Sequence, residues 1–374
     1  MTAAPEPDPT TRTTRTTEGD IVTSPVNTAP AAQAAPTPPP PPASAPPGPA
    51  ASAGRFRQAL RSISGPLVGL VLLVVVMSLL SPVFFTPNNL VNILVQVSYI
   101  GIMAAGATLV IILGGIDLSV AAVLGFSFMV VAVLYQNLGW PFWLCIIAGL
   151  AVGAGVGLVN GVLIAFGNVQ PFIATLSTMF AATGLSLYLT NGTPILGLPD
   201  WFQGLSHVRL AGISLQVFLM IGVFVIGGLW LKYRPAGRSL YAIGSNDEVA
   251  RLSGIRVKAM QLRVYAIAGL LAAVAGLVVG ARLNAAQPSA GNSSDLLSVI
   301  AAVVIGGASL AGGVGSMRGT FIGLLIIGVL NNGLTLLNVS PYLQPVVIGA
   351  VIILAVLSDG KLIGQLRARF RRRA

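Results

Sequence analysis

The stretch ISLQVFLMIGVFVIGGLWL, residues 213–231, decides the fold class of this chain. It is 19 residues long and contains no charged side chain. An uncharged apolar run of about 20 residues has the length that a helix needs to cross the hydrocarbon core of a bilayer. A loop with seven Lys and Arg residues follows at 232–263, and a second apolar run occupies 264–283. Because basic loops between spans are typical of the cytoplasmic side, the pattern predicts two transmembrane helices joined by a cytoplasmic loop.

The composition of the whole chain agrees with a lipid environment. Only 8% of the 374 residues are charged and 55% are hydrophobic, whereas a soluble domain carries about 25% charged residues. This composition argues against a soluble enzyme. The single cysteine, Cys145, excludes an intrachain disulfide, and the single histidine, His207, excludes a zinc site built on two histidines. No metal site is therefore predicted in this chain.

From residue 65 onward, apolar runs alternate with short polar or Pro/Gly breaks. They predict an all-α polytopic membrane protein with about ten transmembrane helices. The predicted spans are 66–85, 90–113, 118–135, 142–166, 171–190, 213–231, 264–283, 296–313, 319–338 and 342–358.

Three basic clusters predict the orientation of these spans. The first contains Arg55, Arg57 and Arg61, and the second fills the loop 232–263. The third, at the C-terminus, contains Lys361, Arg367, Arg369, Arg371, Arg372 and Arg373. Six predicted spans separate the first cluster from the loop, and four separate the loop from the C-terminus. Because both counts are even, all three clusters lie on one side, which the positive-inside rule identifies as the cytoplasm. Both termini are therefore predicted to be cytoplasmic.

The chain divides into three predicted regions. Residues 1–54 hold 14 of the 25 prolines and almost no large apolar side chains, so a disordered cytoplasmic tail is expected there. Residues 55–360 form the transmembrane domain, which includes the loop 232–263, and residues 361–374 form a basic cytoplasmic tail. An alternative interpretation of the C-terminal arginines is an arm that binds nucleic acid. Because every basic cluster borders an apolar run, the lipid bilayer is the predicted partner and nucleic acid is not.

Asp117 follows a Gly114-Gly115 break between two apolar runs. A charge at the bilayer centre costs about 2.5–3.5 kcal/mol on insertion scales, so its position needs an explanation. One interpretation is an N-cap that accepts hydrogen bonds from the next helix. The other is a broken helix that lines a solute pathway, where irregular backbone is tolerated. The sequence leaves both open.

A second break, Gly306-Gly307, echoes the first after 192 residues, and Asn332-Gly333 echoes Asn160-Gly161 after 172. The two offsets disagree, so they give only a hint of an internal repeat. Neutral polar residues in the spans suit a hydroxyl-rich solute better than an ion, although helix–helix hydrogen bonding is the alternative for each of them. They are Asn160, Gln170, Thr175, Ser177, Asn331, Asn332 and Thr335.

The loop 232–263 contains the pattern of a short helix of its own. Asn246 suits the N-cap, and Asp247 and Glu248 then lie in the first turn, where carboxylates favour the helix dipole. Gly254 suits the residue that ends the helix. The pattern predicts a short helix lying on the inner face of the membrane.

Four motifs resemble those of ABC importer permeases, in particular the simple-sugar branch with its ribose-, xylose- and galactose-type members. Glu248-Val249-Ala250-x-x-x-Gly254 is similar to their Glu-Ala-Ala-x-x-x-Gly coupling loop. The other three matches are Gly114 to Ser119 with Gly-Gly-Ile-Asp-Leu-Ser, Pro171 to Leu176 with Pro-Phe-Ile-x-Thr-Leu, and Gly306 to Gly315 with Gly-Gly-x-Ser-Leu-x-Gly-Gly-x-Gly. The resemblance covers about residues 60–360, and the proline-rich tail departs from the usual pattern.

The resemblance implies a permease subunit that imports a simple sugar across the bacterial cytoplasmic membrane. It implies a homodimer of permeases, ABC ATPase subunits or one tandem ATPase beneath it, and an extracytoplasmic sugar-binding protein. The chain itself has no Gly-x-x-x-x-Gly-Lys-[Ser/Thr] motif, since Gly360-Lys361 is followed by Leu362. ATP and Mg²⁺ are therefore expected on the partner subunits, and no cofactor and no enzymatic activity are expected in this chain.

Two groups of site residues follow. Coupling to the ATPase is implied for Asn246, Asp247, Glu248, Ala250, Arg251 and Gly254. The translocation path is predicted to involve Gly114, Gly115, Asp117, Ser119, Asn160, Phe172, Thr175, Gly306, Gly307 and Asn332.

Other functions stay open at this point. Nucleosides or branched-chain amino acids are the alternative solutes within the same class of permease. An ion-coupled secondary transporter would need intramembrane ionisable residues, for which Asp117 and Asp295 are the candidates. An intramembrane enzyme is less favoured because the chain has no Gly-x-Ser-x-Gly elbow and no paired intramembrane aspartates.

Overall fold

The computed structural model of the protein describes residues 49–357. Most of the predicted proline-rich tail (1–54) and all of the predicted basic tail (361–374) lie outside the described residues. The first half consists of α1 Pro49–Leu80, α2 Pro87–Ile112, α3 Val120–Gln136, α4 Phe142–Ala165, α5 Pro171–Thr190, β1 Ile195–Leu196, α6 Asp200–His207, β2 Arg209–Leu210 and β3 Ile213–Ser214. The second half consists of α7 Leu215–Tyr233, α8 Pro235–Ser245, α9 Asp247–Leu252, α10 Val257–Leu283, β4 Ala285–Ala286, α11 Ser293–Ile305, α12 Met317–Leu336 and α13 Gln344–Leu357.

Each of the ten predicted spans contains a helix. Six helices, α2, α4, α5, α7, α10 and α12, are long and apolar enough to cross a membrane. Shorter apolar helices occur in residues 65–80 of α1, in α3 and in α11. A mostly helical, multi-pass architecture is thus confirmed, because no soluble domain needs six apolar helices of this length.

The predicted eighth span, 296–313, is wrong in its second half. Helix α11 ends at Ile305, and residues 306–316 are irregular. The physical reason is glycine, because Gly307, Gly312 and Gly313 have φ values of 86°, 87° and 71°, which an α-helix does not contain. With 13 residues, α11 is about 20 Å long, shorter than the ~30 Å hydrocarbon core.

The short elements lie at opposite ends of α7. The pair α8 and α9 follows the end of α7 and leads into α10, so most of the predicted loop 232–263 is helical. Strands β2 and β3 precede the start of α7 and pair as a hairpin, and β1 pairs antiparallel with β4 after α10. We call the end of the bundle that contains α8 and α9 the α8–α9 end, and the end that contains the β2–β3 hairpin the opposite end.

Helix α2 lies at the centre of the bundle. In its most apolar stretch 83% of the residues are buried, whereas in that of α5 only 22% of the residues are buried. Small residues permit the closest helix pair, α4 with α10. A Cβ at Gly157 would overlap the carbonyl oxygen of Tyr265, and one at Gly269 would overlap that of Gly153. Glycine therefore lets the backbones of α4 and α10 approach closely at this interface.

Candidate functional site

Helix α9 has both of its predicted ends. The Oδ1 atom of Asn246 accepts a hydrogen bond from the amide of Val249 at 3.0 Å, as an N-cap does. At the other end, Gly254 has φ 80°, its amide donates to Arg251 O, and the amide of Ile255 donates to Ala250 O. This pair of bonds is a Schellman motif, which requires a left-handed residue at Gly254.

The outer face of α9 exposes apolar side chains at the tip of the α8–α9 end. Leu252 is 84% exposed and Val249 is 57% exposed, whereas Ala250 is buried against the bundle. Asp247 and Arg251 are exposed and approach each other at 3.9 Å, a distance at which a surface ion pair contributes about 0.3–0.5 kcal/mol. A leucine this exposed on a capped helix is suited to contact a partner protein.

The inner side of this end is a junction of three chain segments that meet backbone to backbone. We define the glycine junction as Gly114 at the end of α2, Gly244 near the end of α8, and Gly312 and Gly313 in the irregular segment after α11. A Cβ at Gly244 would overlap the carbonyl oxygen of Ile112 and lie 2.6 Å from the amide nitrogen of Gly313. A Cβ at Gly312 would lie 2.6 Å from Gly244 O and 2.8 Å from Gly114 Cα. No side chain fits between the segments.

Two hydrogen bonds cross the glycine junction. The amide of Gly313 donates to Ile112 O at 2.9 Å, which joins the segment after α11 to the end of α2. The phenol of Tyr241, on α8, donates to Gly315 O at 2.8 Å. Burial raises the pKa of the Tyr241 phenol, so it remains a neutral donor at physiological pH. Helix α8 is thereby bonded to the segment after α11, which is itself bonded to the end of α2.

The first break contains a buried chain of four polar side chains. Thr178 Oγ1 donates to Asn160 Oδ1 at 2.8 Å, and Asn160 Nδ2 donates to Ser119 Oγ at 2.9 Å. Ser119 then donates to Asp117 Oδ1 from its hydroxyl at 2.6 Å and from its amide at 2.8 Å. Asp117 is 5% exposed, Ser119 1% and Asn160 0%. Among the side chains that the structure describes, the carboxylate has no Lys or Arg partner, and hydrogen bonds from Ser119 hold it.

The N-cap interpretation of Asp117 is wrong in its detail. Helix α3 begins at Val120, and its N-cap is Ser119, whose side chain makes no capping bond. The carboxylate of Asp117 accepts from Ser119 itself and from no amide of the first turn of α3. Asp117 thus shapes the turn before the helix instead of capping it.

Several predicted path residues surround this chain. Thr175 lies on α5 with its hydroxyl 3.2 Å from Ile116 O, although its bond to Pro171 O is shorter, at 2.8 Å. Phe172, one turn before it, is 50% exposed. The structure therefore brings five of the predicted residues together at the first break, and they are Gly115, Asp117, Ser119, Asn160 and Thr175.

The remaining predicted path residues lie elsewhere. Gly306 packs against the carbonyl of Gly319 at the start of α12, and Gly307 makes the turn that follows α11. Asn332 is at the far end of α12, where it exchanges two 2.9 Å hydrogen bonds with Asn89. The sequence echo between Asn160 and Asn332 thus does not place the two asparagines in one site.

Comparison with known proteins places the chain in a family. Residues 89–356 match the family described as the permease component of branched-chain amino acid transport systems. The chain belongs to this permease family. The permease is 48% identical to the ribose import permease protein RbsC of Bacillus subtilis (strain 168), over 79% of the chain and 92% of that relative. It is 46% identical to RbsC of Escherichia coli (strain K12), over 79% of the chain and 92% of that relative. Its identity to the E. coli K12 xylose transport system permease protein XylH is 36%, over 74% of the chain and 86% of that relative.

The permease also contains site residues that the sequence did not single out. Gly244, Tyr241 and Thr178 complete the two networks, and Tyr265 packs its hydroxyl against Gly115. Among the described residues this buried hydroxyl has no hydrogen-bond partner. Of these residues, only Thr178 could have been found from the local sequence pattern. It follows Ala174 by four residues and Thr175 by three, so it shares the face of α5 that packs inward.

Proposed function

We propose that the permease is the membrane-spanning subunit of an ATP-driven ABC importer and forms the translocation pathway for a simple sugar. The relatives support a sugar as the solute, since they are named for ribose import and xylose transport. The family description names branched-chain amino acids, so these, with nucleosides, are the alternative solutes.

We propose further that the chain crosses the membrane ten times with both termini in the cytoplasm. Residues 65–80 of α1 and the helices α3, α11 and α13 complete the count, with α11 extended by the irregular residues on either side of it. The charge distribution supports this orientation, because the residues that surround the α8–α9 end are strongly basic. They are Lys232, Arg234, Arg238, Arg251, Arg256, Lys258, Arg263 and Arg318.

Helix α9 is the proposed contact with the ATPase. The observation that carries this proposal is the combination of a capped helix, an exposed apolar face at Val249 and Leu252, and a backbone junction behind it. Closure of an ATPase against α9 would displace α8, and the glycine junction would pass that displacement to the ends of α2 and α11. ATP and Mg²⁺ belong to the ATPase subunits in this proposal, and the chain acts as the gated pathway.

Two further partners belong to the proposal. A second copy of the permease would complete the pathway, which fits the highly exposed surface of α5. An extracytoplasmic sugar-binding protein would deliver the solute to the opposite end. The translocation role of Asp117, Asn160 and Phe172 remains a proposal, supported by the convergence of the first two on one buried hydrogen-bond chain.

Co-purification in mild detergent tests the proposed function. We expect the full chain to recover an ABC ATPase, and Leu252→Glu to reduce that recovery at least tenfold, because it places a charge on the docking face. The matched control is Leu210→Glu, which changes an exposed leucine (51%) at the opposite end and should retain the ATPase. Uptake of labelled ribose, xylose and leucine into proteoliposomes of the complex then distinguishes the solutes. Recovery of the chain alone, with uptake driven by an ion gradient, would contradict the proposal.

A further inference from the structure

An open cavity with a mixed polar and apolar lining lies beside the first break, on the side towards the opposite end. Its volume is about 260 Å³, and its walls are the first turn of α3, the middle of α5 and residues 288–296 around the start of α11. Close backbone contact shapes it, since a Cβ at Gly291 would overlap Ala121 O and one at Gly125 would overlap Ala290 O. The segment before α11 is therefore pressed against α3 and leaves the cavity between itself and α5.

The cavity is lined with neutral hydrogen-bonding groups. Thr183, Ser186, Ser289, Asn292 and Ser293 contribute them, and none of the twelve lining residues carries a charge. Ser186 donates to Ala182 O, and the Oδ1 atom of Asn292 accepts from the amide of Asp295. Within the described part of the chain, the hydroxyls of Thr183, Ser289 and Ser293 have no side-chain hydrogen bond. Three hydroxyls and one amide NH₂ group are thus free to bind a solute.

The chemistry of this lining selects a class of solute. None of the twelve lining residues offers a counter-charge to a zwitterionic amino acid. An ion would need a full set of coordinating ligands or an opposite charge. A neutral solute with several hydroxyl groups can instead exchange its water bonds for those of Thr183, Ser289, Ser293 and Asn292.

The size of the cavity agrees with one small ring. The cavity volume of about 260 Å³ equals that of about nine water molecules at ~30 Å³ each. It lies just below the ~300 Å³ at which binding sites for drug-sized ligands begin. A monosaccharide fits such a space, and a disaccharide exceeds it.

We propose that this cavity binds one monosaccharide part-way along the bundle during import, with the Asp117–Ser119–Asn160–Thr178 chain next to it. The inference rests on the proposed function and adds a solute-binding site within the permease to it. Helix α5 carries both Thr178 in the chain and Thr183 in the cavity, and α3 begins directly after Ser119. A solute in the cavity therefore touches α3, which follows the first break, and α5, which contributes Thr178 to the chain.

Filling the cavity tests the proposal in proteoliposomes that contain the full chain, its ATPase and its binding protein. Ser289→Phe places an aromatic ring in the cavity wall, and we expect ribose and xylose uptake to fall at least tenfold. ATPase activity, basal and stimulated by the binding protein, should stay within twofold because the α8–α9 end is unchanged. The matched control is Leu185→Phe, which is on α5 but does not line the cavity and should import normally.

A second variant keeps the proposal testable if Ser289→Phe fails to fold. Thr183→Val combined with Ser289→Ala removes two hydroxyls at almost constant shape, and we expect the concentration of sugar needed for half-maximal uptake to rise roughly fivefold or more. Normal uptake in both variants would overturn the cavity proposal while leaving the proposed function intact. Failure of the wild-type complex to import either sugar with ATP would instead contradict the proposed function.

Discussion

Replacement of Gly244 by alanine is the sharpest test of the glycine junction. The added Cβ would overlap Ile112 O, and real Cβ contacts are not shorter than 3.0 Å, so α8 and the end of α2 must separate by more than an ångström. The same shift disrupts the 2.9 Å bond from the Gly313 amide to Ile112 O. The substitution thus opens the point at which three segments meet and leaves the exposed face of α9 unchanged.

The cost can be worked out from these contacts. Overpacking costs about 1–3 kcal/mol, and the lost hydrogen bond costs about 0.5–1.5 kcal/mol. Alanine returns up to about 1 kcal/mol through its higher helix propensity, since Gly244 lies within α8. A net loss of about 0.5–4.5 kcal/mol is smaller than the ~5–15 kcal/mol by which a domain is stable, so the variant should still fold. Where about 1.4 kcal/mol of this strain opposes movement at the junction, the rate of that movement falls tenfold. We therefore expect sugar uptake to fall by about tenfold.

The assay compares uptake and ATP hydrolysis in the same proteoliposomes. For Gly244→Ala we expect the ATPase to remain bound and active while uptake per ATP hydrolysed falls. Gly222→Ala is the matched control, because it lies within α7 and a Cβ there meets no atom within 4 Å. Wild-type uptake per ATP in Gly244→Ala, at normal amounts of inserted protein, would refute the claim that the junction transmits movement.

Three further predictions concern the other networks. Gly254→Val should still insert into the membrane but uncouple ATP hydrolysis from uptake, because a β-branched residue at φ 80° costs about 1–2 kcal/mol. Gly254→Asn tolerates that φ and should couple normally. Unchanged uptake in the valine variant would contradict the coupling role. Asp117→Asn keeps the Oδ1 acceptor for both bonds from Ser119 and should support uptake, whereas Asp117→Ala should abolish it; loss of uptake in a well-inserted Asp117→Asn would instead indicate a charge-dependent role. Asn332→Leu should lower the melting temperature in detergent, since it leaves the buried Oδ1 of Asn89 without a partner at a cost of about 1–3 kcal/mol, while Asn89 Nδ2 keeps its bond to Phe84 O. The double variant with Asn89→Leu also loses the Phe84 bond and should recover part of this loss, and no difference between single and double variants would refute the pairing argument.

The elements predicted correctly are those that depend on local sequence. Apolar length alone located ten helices, and the two ends of α9 followed from Asn246 and Gly254, because a cap and a Schellman motif involve residues within one helical turn. The beginning of α10 was placed seven residues too late, at 264 instead of Val257. Its first two turns carry Lys258 and Arg263, so hydropathy excluded them although their backbone is helical.

The glycine junction could not be predicted because it depends on contacts between distant segments. Gly114, Gly244 and Gly312 are separated by 130 and 68 residues, and no helical or strand period relates them. The sequence marked two of the three segments by their Gly-Gly breaks, and it gave Gly244 no distinguishing signal. The same limit applies to Asn332. Asn332-Gly333 and Asn160-Gly161 both lie near the C-terminal ends of their helices, but Asn332 pairs with Asn89 at the start of α2, whereas Asn160 lies beside the first break that follows α2.

The arrangement of the junction has a mechanical consequence. Side chains can change rotamer when two helices shift, and so they absorb movements of about an ångström, whereas backbones in direct contact have no rotamers to change. Gly244 touches both the Gly114 and the Gly312–Gly313 segments, so a displacement of α8 must move both breaks together. One break leads to the Asp117 chain and α3, and the other leads back to α11, whose far end borders the sugar cavity. A single movement at α9 would therefore act on the cavity from two sides, which is what opening a path for a bound solute requires.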